Sequence, residues 1–252
     1  MLFQKNTGSI FSDAEQKIAI LSIILFSVSK YKYLHFLKNG NNFCCIFANR
    51  NLFEAKKTMS YNTFTLPNGL RIIHAPNQSN VAYCGFAVDA GTRDENEQEQ
   101  GMAHFVEHLI FKGTQKRHAW HILNRMENVG GDLNAYTNKE ETVIYSAFLV
   151  EHFSRAAELL ADIVFHSTFP QHEIDKEVEV IIDEIQSYED SPSELIFDDF
   201  EELIFPNHPL GRNILGKPDL LRSFKSEHAL NFTSRFLQSY QYDLFHSRQY
   251  RL

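Results

Sequence analysis

From Met59 onward the apolar residues change period in blocks, first by twos in paired stretches and then by threes and fours in runs. A chain patterned that way buries its apolar surface by packing helices on a sheet whose strands pair with near neighbours in sequence. Residues 63–66 and 70–73 flank Pro67, Asn68 and Gly69, and Asn-Gly is the strongest short hairpin signal. Residues 81–88 read as a third strand, and 133–137 and 142–149 as two more around a turn at 138–141. Helical spacing runs over 101–112 and 118–128, the second closed by Gly130 and Gly131. It resumes at 151–166 and 171–189 and, past the Ser191-Pro192 break, near 193–204 and 226–239. The fold class expected is α+β, a mostly antiparallel sheet with helices packed on it, in a single domain over 59–240.

Charge divides the chain at the same place. Residues 1–58 carry 8 basic and 3 acidic side chains, and the remainder carries 16 and 29. A net charge of −8 leaves no basic footprint for a phosphate backbone, so nucleic acid is not an expected partner. The longest apolar run of the first part, residues 18–28, is too short to span a bilayer, so stable membrane insertion is not expected either. Asp13 and Glu15 precede that run where a secretory signal would place basic residues. Residues 1–58 are expected to be an extension without its own fold, with Met59 as the natural start; N-terminal sequencing of the native protein checks this. Cys44, Cys45 and Cys84 form no paired framework, and the default compartment of such a chain is the cytoplasm.

The chemistry begins at His104-Phe105-Val106-Glu107-His108. On a helix, positions i and i+4 lie within about 40° of each other, so His104 and His108 can offer two imidazoles to one metal. Neutral imidazole suits zinc, whose catalytic sites keep three protein ligands and an open position for water. Glu107, one turn after His104, can reach a zinc-bound water, take its proton and pass it to a leaving amine. The ordinary alternative is a pair of surface histidines. Met102, Phe105, Val106, Leu109 and Ile110 make an apolar stripe that excludes both, which suits a cleft and open solvent equally. A third ligand decides between the two.

The best candidates lie on the helix striped by Ile174, Val178, Ile181, Ile182 and Ile185. Glu177 and Glu184, seven apart, share one flank of that stripe, where a carboxylate left alone is costly and a metal is a partner. Both could equally be solvated charges on an acid-rich helix. Elsewhere His118 and His121, beside Trp120, read as an amphipathic surface helix, and Cys84 as strand packing.

Taken together these residues resemble the pitrilysin/insulinase-type zinc metallopeptidases, the inverzincins, which include the mitochondrial processing peptidases and related bacterial enzymes. His-x-x-Glu-His is followed there by a segment patterned Glu-x-x-Val-Ile-x-x-Glu, and here Glu184 lies 76 residues after His108. The flanks agree at Leu66-Pro67-Asn68-Gly69-Leu70, Ala90-Gly91-Thr92-Arg93, Gly101-Met102-Ala103-His104 and Phe111-Lys112-Gly113-Thr114. Residues 130–137 agree as well, and the likeness covers about 60–225. It implies one Zn2+ per chain held by His104, His108 and Glu184, Glu107 as general base, and Glu177 as a second, supporting carboxylate. It further implies that Asn134 and Ala135 lie on an edge strand that receives a peptide substrate in extended form.

Family members carry a second, similar domain, so a complementary domain or partner subunit is expected. The polar, aromatic and weakly periodic residues 241–252 stand where a strand should return to the sheet. They are expected to be an atypical tail of a truncated product, leaving a sheet edge exposed and prone to association. Three readings follow: an endopeptidase active as it stands, a catalytic half that needs its partner, and an inert binding module.

Overall fold

The computed structural model describes residues 34–39, 42–47, 62–236 and 242–248. Two compact units divide between Met59 and Ser60. In the first, β1 (Leu34–Asn39) and β2 (Asn42–Phe47) pair as an antiparallel hairpin, an element the sequence reading did not expect there. The apolar run at 18–28 lies outside the described residues. Among those described, no helix is long and apolar enough to cross a membrane.

The second unit is built on a six-stranded sheet. Its strands are β3 (Asn62–Thr65), β4 (Arg71–Pro76), β5 (Val81–Val88), β6 (Asp132–Thr137), β7 (Thr142–Leu149) and β8 (Tyr242–Arg248), in the order β3-β4-β8-β5-β7-β6. Every pairing is antiparallel except β4 with β8. Among the described residues seven helices accompany it: α1 (Met102–Leu109), α2 (Ala119–Glu127), α3 (Phe153–His166), α4 (Gln171–Glu189), α5 (Pro192–Ile204), α6 (Pro218–Leu221) and α7 (Ser226–Phe236). One core joins sheet and helices through Phe86, Phe148, Phe105, Leu109, Ile122, Leu160, Ile163 and Ile181. The α+β reading holds.

The tail corrects an expectation. Tyr242–Arg248 forms β8, an interior strand between β4 and β5, so the sheet position expected to be empty is filled. Its strand character was masked by an acid near its start. Asp243 stands opposite Arg71 in the register and is bound by that guanidinium at 2.7 Å, a partner 172 residues away. Phe245 crosses β5 at Gly85, where a Cβ would lie 2.6 Å from the Phe245 ring. A glycine in that strand lets the ring lie flat on the sheet.

Another glycine places the helix that carries the histidines. Gly101 starts α1 at φ 93°, and a Cβ there would lie 2.8 Å from Gly216 Cα and 2.8 Å from Leu215 O. Two backbones meet at this point with no room for a side chain. Gly101→Ala is expected to cost at least about 1–3 kcal/mol from the left-handed backbone alone. A urea midpoint equal to that of the parent chain would contradict this packing.

Candidate metal centre

No residue of the helix α1 is fully exposed, and Glu107 and His108 are half-buried. Its apolar stripe enters the core, and β6, α4 and α7 pack around the rest. His104 is therefore buried and His108 half-buried, which decides between the cleft and the open surface that the periodicity allowed. The N-terminus of the helix is capped from a distance. Glu95, itself buried, accepts from the N–H groups of Gly101 (2.9 Å) and Ala103 (2.8 Å), placing a carboxyl at the positive end of the dipole. Burial pushes that carboxyl up to about 8 against the pull of those two bonds.

His104 and His108 meet edge to face with ring centroids 4.6 Å apart. Both turn Nε2 toward one carboxylate oxygen, Glu184 Oε2, at 3.9 Å from His104 and 3.5 Å from His108. One donor atom from each of the three lies within 4.8 Å of the other two. Donors bound at about 2.0–2.1 Å around a tetrahedral metal stand roughly 3.3 Å apart, so the three need only contract slightly onto a central ion. The chemistry of the set fits zinc. Burial, helped by His108, lowers His104 to about 4, which keeps the imidazole neutral and its lone pair free. Glu184 is 44% exposed, so solvent reaches the cluster from its side. Among the described residues this is the one group of three or more such side chains close enough to hold a metal.

Glu177 and Glu184 were equivalent on the helical wheel, and tertiary packing separates them. Glu184 faces the two Nε2 atoms, whereas Glu177 is buried behind the His108 ring, with Oε1 2.9 Å from Nδ1. Its other oxygen lies 2.6 Å from Lys112 Nζ. Burial opposes the charge on Glu177, but the His108 and Lys112 contacts outweigh it and hold the carboxyl below its usual range. His108 is shifted up in turn: burial works against its charged form, and Glu177, Glu184 and Glu107 overcome it.

Glu107 lies half-buried on the same side of α1, close enough to Thr137 at the end of β6 for that residue to favour its charged form. It borders an apolar hollow of about 60 Å³ lined by Val106, Ile110, Ile144 and Val164. That burial, with the Glu184 charge nearby, raises its pKa over the opposing Thr137 and His108 contacts. A carboxylate shifted up toward neutrality is suited to carry a proton both ways.

The edge strand β6 pairs with β7 alone among the described residues and packs beside α1. Asn134 and Ala135 are adjacent on it but face opposite ways, Asn134 exposed and Ala135 half-buried on the helix side. The Ala135 N–H donates to Asn134 Oδ1 at 2.8 Å. His118 and His121 are exposed, and Cys84 is buried with its thiol pushed up to about 12. Sequence reasoning did not single out Lys112 or Thr137. Lys112 is four residues past His108, a spacing that could have flagged it; Thr137 reaches Glu107 only through sheet formation.

A sheet domain presenting two histidines and a glutamate from facing helices defines the class of the chain, and residues 71–218 match the model of the insulinase family, peptidase family M16. The chain belongs to that family. It is 40% identical over 178 residues to a protein of Rickettsia bellii described as an uncharacterized zinc protease, covering 70% of this chain and 43% of that one. It is 41% identical over 169 residues to the mitochondrial-processing peptidase subunit beta of Bos taurus, 66% of this chain and 34% of that one. Among solved structures, a protease from Helicobacter pylori superimposes with a TM-score of 0.72 at 22% identity, covering 76% of this chain and 47% of that one. That likeness speaks for the fold. The chain spans less than half the length of the relatives it matches.

Proposed function

We propose that the chain carries the catalytic site of a zinc-dependent endopeptidase acting on peptides in extended conformation. The observation that supports it best is the convergence of His104 Nε2, His108 Nε2 and Glu184 Oε2, with the carboxyl of Glu107 on the adjoining turn of the same helix. In this reading those three residues hold one zinc. When bound, the metal supplies a Lewis acid that polarises a peptide carbonyl and makes water acidic enough to attack near neutral pH. Glu107 takes the proton from the attacking water as its oxygen joins the carbonyl carbon, then returns it to the amine as the C–N bond breaks. Glu177 holds His108 with its Nδ1–H as donor, leaving the lone pair on Nε2. The free edge of β6 takes the substrate backbone as an added strand beside Ala135, a mode that reads length and extension before side-chain identity.

A second reading keeps the site and withholds turnover: the chain is a catalytic half that works only with a complementary domain or subunit. It is favoured by the description of one relative, the Bos taurus protein, as a subunit. Hydrolysis of an unstructured peptide of about 20–30 residues, long enough to add a strand, separates the two. Cleavage that stops with chelator and returns with zinc is the expected result for the first reading. A folded, zinc-loaded chain that cleaves only after a second-half domain is added supports the second. A folded chain that takes up no zinc overturns both.

A further inference from the structure

We propose that Lys112 is a positioning residue of this metal centre: its ammonium anchors one oxygen of Glu177 so that the other is fixed on His108 Nδ1, and through that pair it sets the direction of His108 Nε2. The proposal rests on the zinc reading above. Three side chains form a line from the surface to the cluster, each using a different atom. Lys112 Nζ meets Glu177 Oε2 at 2.6 Å, Glu177 Oε1 meets His108 Nδ1 at 2.9 Å, and His108 Nε2 faces Glu184 Oε2 at 3.5 Å.

The placement of Lys112 follows from local chain geometry. It lies just beyond the end of α1, where its N–H closes on the Leu109 carbonyl at 3.0 Å, four residues after His108. From there its side chain crosses to α4, the helix that carries both Glu177 and Glu184. One ion pair thus ties the two ligand-bearing helices together at the level of the site. The pair is well shielded, with side chains 28% and 8% exposed for Lys112 and Glu177. At such burial a carboxylate without a cation is costly, and Lys112 supplies one that is charged whatever the state of the imidazole. Without Lys112, the single bond to His108 Nδ1 would be left to hold the near oxygen of Glu177 in place.

The two histidines differ in what surrounds them. Among the described residues the buried Nδ1 of His104 has no hydrogen-bond partner, so its ring is held by packing. His108, more exposed, is the imidazole whose orientation depends on a polar partner. Carboxylates behind metal-bound histidines fix tautomer and ring direction, and their loss costs about 10–100-fold in metal affinity. Lys112 acts on that device from one step further out.

The test is a zinc-affinity cycle on the full chain, measured by competition with a chromophoric chelator. Lys112→Met is expected to weaken zinc binding by about 10–100-fold, as removal of a ligand's carboxylate partner does, and Lys112→Arg to restore it. The loss should vanish when Lys112→Met is made in a Glu177→Gln background, because Lys112 works only through that carboxylate. Side-chain 15N spectra of the metal-free protein add a readout independent of zinc, with the His108 Nδ1–H held against exchange by Glu177 in the parent and exchanging faster in Lys112→Met. Lys112→Gln gives the same comparisons should the Met variant not fold. A variant with lowered thermal stability but parental zinc affinity and unchanged exchange of the His108 Nδ1–H would make Lys112 a structural ion pair and overturn the proposal. Equal losses in the Glu177→Gln background would also overturn it. Failure of the parent chain itself to bind zinc would instead remove the zinc reading, and this inference with it.

Discussion

Replacing Glu107 by Gln is expected to abolish peptide hydrolysis while zinc stays bound. Gln fills the same volume at this half-buried position, so the fold and the three donors should be undisturbed. It cannot take a proton from water or return one to the leaving amine. Positioned proton transfer contributes about 10²–10⁴-fold, and a fall of that size in kcat, with KM and zinc content near parental values, is the expected pattern. Assay of the parent and variant on the same peptide, in the assembly that supports turnover, checks it. A Glu107→Gln chain that retains activity would move the base elsewhere, and the geometry offers no second carboxyl with the same reach along α1.

The other large effect concerns the metal. His104→Ala is expected to lose zinc altogether, by more than the about 10–100-fold that removing a ligand's supporting partner costs. His104 brings a neutral imidazole, held near a pKa of about 4 by burial and His108, so its contribution to the metal carries little proton competition at neutral pH. Glu184→Gln should follow it closely, since its Oε2 is the atom both Nε2 groups face. Glu177→Gln should fall between these and the parent, because Glu177 touches the back of a ligand ring and not the cluster itself. Metal content after dialysis against a weak chelator gives the order. A Glu177→Gln chain that loses more zinc than Glu184→Gln would reverse the two carboxylates' roles.

Where a pattern was local, it was legible in the residues. The helix α4 was read over 171–189 because five branched apolar residues keep its period without a break, and β7 over 142–149 because it is an apolar, β-branched and aromatic run that follows a turn signal at 138–141. The His104 and His108 pair followed from helical spacing alone. The choice between Glu177 and Glu184 did not, since both lie on one flank of α4 and only packing against α1 sends one to the Nε2 atoms and the other to Nδ1. The burial of the His face escaped periodicity for the same reason, because β6, α4 and α7 cover a side of α1 that is polar by composition. The strand β8 was missed because its neighbours are far away in sequence: Arg71 neutralises Asp243, and Gly85 makes room for Phe245. A one-dimensional pattern records neither partner.

The central claim is that His104, His108 and Glu184 together hold one zinc, and its most direct test is zinc K-edge X-ray absorption on the full chain loaded with one equivalent. The account predicts a shell of nitrogen and oxygen donors at about 2.0–2.2 Å with the multiple scattering of two imidazoles and no sulfur. A spectrum with one imidazole or none, or with a sulfur shell near about 2.3 Å, would contradict it.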